Sequence, residues 1–340
     1  MTDHTRVLVT GASGFIAKHI VLGLVEKGFR VRGTVRSTHK AAEVRGVLRE
    51  AGADEAAFEP CVADLSRDEG WDEAVRDCRF VLHTASPFPA TQPKEKFGLV
   101  SLARGGTLRV VEAAKRAGVE RIVLTSSVAA VGYGHGGRGL QRYDATTFSN
   151  VASPDISPYA VSKTEAERAA WDAVSGSATS LVSINPALVL GPLLDGTLGT
   201  SATLVSLMMR GRLPAMPDLG FGIVDVRDVA EAHIRAMGTP AADGQRFLLS
   251  AGNMRLLELA EVLRQVYPDR ASRLPRFRIP THLIRVAAMV SSQARMLWAE
   301  VGSEKIYDSG QAGRVLGLTF RPPEEAVLAL AETLIRFDRA

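Results

Sequence analysis

Tyr159 and Lys163 stand four residues apart in Tyr159-Ala160-Val161-Ser162-Lys163, directly after Pro158. On a helix that spacing puts both side chains on one face, and a proline just ahead suits a helix start. An ammonium beside a phenol favours the phenolate and lowers a pKa that begins near ~10. Such a tyrosine can give a proton to a carbonyl oxygen while hydride arrives at the carbon. Ser126-Ser127 ends an apolar run, Arg121–Thr125, and a hydroxyl there can hold the same oxygen. Ser127 is the favoured hydroxyl and Ser126 the other choice. Tyr-x-x-x-Lys alone is common on surface helices, so its weight rests on what precedes it.

What precedes it is a phosphate-binding turn. The run Val7-Leu8-Val9-Thr10-Gly11-Ala12-Ser13-Gly14-Phe15-Ile16-Ala17 reads as buried strand, glycine turn and helix, with Ile16, Ile20 and Leu24 on one helical face. A pyrophosphate can lie over Gly11, Ala12, Ser13, Gly14, Phe15 and Ile16, because glycines permit close approach and the helix end is positive. The spacing Gly-x-x-Gly-x-x-Ala departs from Gly-x-Gly-x-x-Gly, and the flanking strand and helix are what make it informative. Roughly 20 residues on, where an NAD-binding fold keeps an acidic side chain, the chain reads Thr34-Val35-Arg36-Ser37. A guanidinium there suits a 2′-phosphate, so NADP(H) is the expected cofactor, clamped by Arg36. Lys40 is either a second cation for that phosphate or a surface charge. Asp64-Leu65 falls beside the adenine, with Asp64 accepting from its amine, or it is a strand-to-helix cap.

The elements that must carry these residues alternate. Apolar strands at 7–9, 29–35, 57–62, 80–84, 121–125 and 180–185 are interleaved with helices at 70–76, 107–118 and 164–174. That order predicts an α/β fold, a Rossmann-type doubly wound parallel sheet. From about residue 191 the pattern loosens into Gly-Pro and Leu-Pro punctuation, with helices over 202–210, 226–237, 255–267 and 323–337. The expected organisation is an NADP-binding domain over 1–190, joined by chain returning at about 222–250. A smaller C-terminal substrate lobe, mainly 191–340, completes it.

Bulk properties exclude several classes. The 340 residues suffice for a large core. The 41 Lys+Arg against 37 Asp+Glu are scattered, which gives nucleic-acid binding no support. Cys61 and Cys78 form neither a disulfide framework nor a metal-ligand spacing, so they read as buried small hydrophobes in a reduced, cytoplasmic setting. Met1 to Thr5 carries no basic or apolar leader, and no apolar stretch is long enough to span a bilayer. No membrane partner and no metal are expected.

Taken together and in order, these pieces resemble an extended short-chain dehydrogenase/reductase, in the dihydroflavonol 4-reductase and ketone/aldehyde reductase branch. Further matching pieces are His83-Thr84-Ala85-Ser86-Pro87-Phe88, Gly106-Thr107-Leu108-Arg109-Val110, Asn185-Pro186-Ala187-Leu188-Val189 and Asp225-Val226-Arg227-Asp228-Val229-Ala230. The resemblance covers nearly the whole chain. It implies that Thr84, Ala85 and Ser86 line the cofactor, that Tyr159 and Lys163 also hold the nicotinamide ribose, and that residues 186–189, with Pro186 and Val189, flank the nicotinamide. Ser201 matches a further cofactor contact or else a helix N-cap. Asp228 and His233 match a structural helix, and His83 and His233 read as packing histidines. Plant flavonoid reductases place an asparagine shortly after the serine; Val128-Ala129-Ala130-Val131-Gly132 has none, which points away from dihydroflavonol as the native substrate. The glycine-rich loop 133–139 follows, with His135 exposed.

The implied activity is reversible NADPH-dependent reduction of an aldehyde or ketone by a Ser-Tyr-Lys site. Phe88, Leu207, Met208, Met216 and Phe221 are candidate wall residues for a moderately hydrophobic carbonyl or alcohol substrate. The other readings are a 3β-hydroxysteroid dehydrogenase-like or nucleotide-sugar epimerase-like enzyme, or an NADP sensor without turnover. A monomer or homodimer is expected.

Overall fold

The computed structural model describes residues 5–86 and 95–340. Seven strands form its central sheet: β1 (Arg6–Thr10), β2 (Arg30–Val35), β3 (Phe58–Val62), β4 (Cys78–His83), β5 (Arg121–Thr125), β6 (Ser180–Pro186) and β7 (Arg246–Leu249). Their spatial order is β7-β6-β5-β4-β1-β2-β3, and every neighbouring pair is parallel. The order reverses between β1 and β4. At that switch the strands' carboxyl ends diverge and leave a crevice, the usual ligand position in open α/β sheets.

β1 shows why both faces are covered. Val7 and Val9 enter one core with Ile20 and Leu24 of helix α1 (Phe15–Glu26), while Leu8 enters the opposite core with Trp71, Val81 and Ile122. A parallel strand is stable only when both faces are buried, which explains its unbroken apolar run. Helix α2 (Thr38–Glu50) joins β2 to β3. The helix read over 107–118 in fact spans Val100–Arg116. Gly105 and Gly106 hid its first turns, since glycine weakens a helix. Gly106 is needed for close approach, because a Cβ there would lie 3.0 Å from Leu65 Cβ.

The second half supplies β7 to the sheet and builds a separate apolar cluster, including Leu190, Leu259, Leu330 and Leu334. Met208 and Met216 belong to that core, 0% and 3% exposed, and so are corrected from candidate pocket wall to packing residues. Helix Thr200–Met209 turns Met208 inward and its neighbour Leu207 toward the surface, as helical periodicity requires. Phe221 packs half-buried on the same cluster, and Phe88 lies outside the described residues. A strand at Ser303–Tyr307 pairs in parallel with Gly139–Tyr143, which ties the C-terminal segment to the loop after Ser127. Cys61 is half-buried and Cys78 buried, both free. Among the described residues no helix is long and apolar enough to cross a membrane.

Candidate active site

The site begins where β1 ends. Gly11 adopts φ +63°, its N–H donates to Thr34 Oγ1 at 2.8 Å, and Gly14 N–H donates to Gly11 O at 2.8 Å. Ala12 N–H donates to Thr34 O at 2.9 Å. A Cβ on Gly11 would stand 3.1 Å from Ala85 Cβ, and one on Gly14 would stand 3.2 Å from Gly11 O. Gly14 is the N-cap of α1 with no side chain over the first-turn N–H groups. This bare cradle, which side chains would fill, fits a dinucleotide pyrophosphate at the positive end of a helix. Ser13, Phe15 and Ile16 are half-buried around it, and Ala12 turns its methyl into the core.

Gly11→Val puts a β-branched residue at positive φ, costing about 1–2 kcal/mol of strain in addition to the clash with Ala85. NADPH affinity should fall roughly tenfold or more. A fluorescence titration with an unchanged Kd would show that the turn does not carry the pyrophosphate.

Thr84 and Ala85 lie against this turn, and Ser86 beyond them is exposed. Thr84 Oγ1 donates to Thr10 O, and Ala85 N–H donates to Thr10 Oγ1 at 3.0 Å. Thr10 Oγ1 also shares a 2.8 Å hydrogen bond with His83 Nδ1. Burial, with the Lys163 charge adding, pushes the His83 imidazole down to about 3, so it stays neutral. His233 is likewise a packing histidine: Nδ1–H donates to Val229 O at 2.8 Å and Nε2 accepts from Thr125 Oγ1 at 2.6 Å. Asp228 accepts from Arg321 N–H at 2.8 Å and pairs with its guanidinium. His135 is exposed, with Nε2–H on Val131 O at 3.0 Å.

At the far end of the crevice Arg36 is exposed just beyond β2. Asp64, beyond β3, accepts at Oδ1 from Ser66 Oγ at 2.7 Å and Ser66 N–H at 2.8 Å. Those bonds, with the nearby Arg36 and Arg67 charges, hold its carboxyl below the usual carboxylate range. The Lys40 ammonium pairs with Glu43 at 2.7 and 2.9 Å, because residues three apart on a helix meet. Leu65 packs half-buried on the cluster under β4.

Helix α3 (Pro158–Val174) starts at Ser157, whose Oγ accepts from Ala160 N–H at 3.2 Å. The cap sets the helix so that Tyr159 and Lys163 face the ends of β5 and β4. The Ser127 side chain interacts with the Tyr159 phenol and draws its pKa down. Ser126 Oγ instead donates to Glu167 Oε2 at 2.5 Å and is 5% exposed. Ser127 is therefore the hydroxyl beside Tyr159. Lys163 Nζ donates to Thr125 O at 3.5 Å, and burial lowers its pKa to about 8 against the attraction of Glu167.

One electrostatic expectation is overturned. Burial pushes the Tyr159 phenol up, and only the Ser127 interaction draws it partly back. The ammonium points to the Thr125 carbonyl, so the tyrosine here is a well-protonated acid.

Pro186 ends β6, and Ala187 N–H donates to Leu249 O at 2.9 Å. Ser201 does not cap its helix. Gly199 is the N-cap, and Ser201 Oγ donates to Val189 O at 2.7 Å, where it braces the 186–189 segment. Three buried polar residues near the site, Glu167, Asn185 and Arg246, have no role in the sequence reading. A glutamate four residues beyond Lys163, on the same helical face, was the available signal.

The profile of the NAD dependent epimerase/dehydratase family matches residues 7–250. Cinnamoyl-CoA reductase CAD2 of Medicago truncatula is 38% identical over 271 residues, covering 77% of this chain and 81% of its own. Ketoreductase azaE of Aspergillus niger is 35% identical over 340 residues, 93% of each chain. The crystal structure of yeast methylglyoxal/isovaleraldehyde reductase Gre2 complexed with NADPH superposes with a TM-score of 0.81 at 27% identity, covering 98% of this chain and 99% of that one. The chain belongs to the NAD dependent epimerase/dehydratase family, the extended short-chain dehydrogenases/reductases, in its dihydroflavonol-reductase-like branch.

Proposed function

We propose that this oxidoreductase uses NADP(H) to reduce an aldehyde or ketone, with Tyr159 as proton donor and Ser127 as the hydroxyl that holds the carbonyl oxygen. The observation that carries the reading is the interaction of the Tyr159 phenol with the Ser127 side chain, with buried Lys163 one helical turn away. Two hydroxyls within reach of each other define a point where one oxygen can meet both. When bound, NADPH supplies the hydride. Gly11 to Ile16 would take its pyrophosphate, Arg36 its 2′-phosphate, Asp64 and Leu65 its adenine side, and Thr84, Ala85, Ser86, Pro186 and Val189 its remaining length. Lys163 would hold the ribose, and its ammonium supports the charge that Tyr159 acquires on losing its proton. Relatives named as cinnamoyl-CoA reductase, ketoreductase and putative NADPH-dependent methylglyoxal reductase support carbonyl chemistry.

The substrate is a small, moderately hydrophobic carbonyl compound, and steady-state turnover against carbonyl panels tests that reading. Arg36→Ser tests the cofactor choice separately. A charged hydrogen-bonding contact to the 2′-phosphate is worth about 1.5–3 kcal/mol, so the Kd for NADPH should rise roughly 10- to 150-fold while that for NADH changes little. Equal losses for both cofactors would remove Arg36 from the 2′-phosphate.

A further inference from the structure

We infer that Glu167 is the positioning residue of this site: its carboxylate clamps the helix bearing Tyr159 and Lys163 to strand ends bearing Ser127 and the 186–189 segment. The inference rests on the Ser-Tyr-Lys reading above and adds a group that does not touch substrate. Glu167 lies one turn beyond Lys163 on α3, and its side chain is 0% exposed. Oε2 accepts from Ser126 Oγ at 2.5 Å and from Asn185 Nδ2 at 2.8 Å, while Oε1 accepts from Arg246 Nε at 2.6 Å. Those three donors come from the end of β5, the end of β6 and the start of β7.

Each donor is itself fixed. Asn185 Nδ2 also donates to Ser127 O at 3.2 Å, and its Oδ1 accepts from Ser183 Oγ at 2.8 Å. Arg246 Nη1 donates to Ala145 O at 2.6 Å and Thr147 O at 2.7 Å, with its guanidinium 3.8 Å from the Phe148 ring centroid. One carboxylate thus links the Tyr159–Lys163 helix to the backbone of Ser127 through Ser126 and Asn185. A buried ion pair contributes little net stability compared with an apolar pair of the same shape. The arrangement is better suited to fixing geometry than to adding stability.

The same carboxylate acts on Lys163 electrostatically. The titratable groups around that ammonium are His83 on β4, neutral through burial, and Tyr159 and Glu167 on its own helix; Arg246 on β7 is paired to Glu167. Glu167 is the one that favours the charged lysine.

The test is an NMR titration of the ligand-free protein with lysine labelled at Cε, the Lys163 signal being assigned by its loss in Lys163→Arg. The wild-type midpoint should lie near about 8, where burial and the opposing attraction of Glu167 leave it, and in Glu167→Gln it should fall by about one pH unit. The alkaline limb of kcat should move down with it. Glu167→Gln leaves Arg246 unpaired, so Glu167→Leu/Arg246→Met, which restores an apolar fit, guards against simple misfolding and should show the same displaced midpoint. If both variants keep the wild-type midpoint and pH profile and differ only in Tm, Glu167 is purely structural and the inference fails. Tyr159→Phe run alongside keeps the two claims apart: wild-type turnover in that variant would sink the catalytic reading whatever Glu167 does.

Discussion

Tyr159→Phe should lose roughly 10²- to 10⁴-fold in kcat while NADPH binding persists. The substitution removes one oxygen and leaves the ring, so the packing around Val161 and Ala160 is retained. What disappears is the proton that the carbonyl oxygen needs as its charge develops, together with the partner of Ser127. A loss confined to kcat is the signature of a group that acts in the transition state. Because burial raises the Tyr159 pKa, the acid form dominates at neutral pH, and carbonyl reduction needs no deprotonated tyrosine in the free enzyme. A variant that turns over within tenfold of the parent would show that the proton comes from elsewhere.

Lys163→Met should show a different pattern, a fall in kcat of roughly 10²-fold joined to weaker NADPH binding, because in the proposed site the ammonium would both support the charge on Tyr159 and hold the ribose. The parent's pH dependence follows from the same group. Burial lowers its pKa from 10.5 to about 8, so the ammonium is present below that pH and is lost as pH rises through it. Reduction should therefore decline above about pH 8, more than two units earlier than for an ordinary lysine. In Lys163→Met that decline should be absent, leaving a flat, low profile. Stopped-flow NADPH oxidation across the pH range measures both effects. An unchanged alkaline limb in the variant would assign it to another group.

The glycine turn, the alternating strands and the Tyr-Lys face were legible because each is a local pattern: an apolar run, a spacing, a break. Arg121–Thr125 was bounded correctly by its apolar run alone. The choice between Ser126 and Ser127 was not local, since neighbours on an extended backbone point to opposite sides and only the docking of α3 decides which one meets Tyr159. Lys40 and Ser201 had the right residue types, and the structure ties each to a nearby partner, Glu43 and the Val189 carbonyl. The raised Tyr159 pKa depends on burial, which spacing does not report. The Glu167 cluster gathers side chains from three strands, with Arg246 79 residues away in sequence. The pairing of Ser303–Tyr307 with Gly139–Tyr143 is equally non-local, and no periodicity in either segment announces it.

The most direct check is steady-state oxidation of NADPH, with NADH in parallel, against aromatic aldehydes, α- and β-keto esters, diketones, steroids and dihydroflavonols. Turnover of at least one aldehyde or ketone with NADPH preferred, abolished in Tyr159→Phe, is the predicted result. Tight NADPH binding without turnover of any carbonyl would contradict it and leave a protein that holds the cofactor without using this site for reduction.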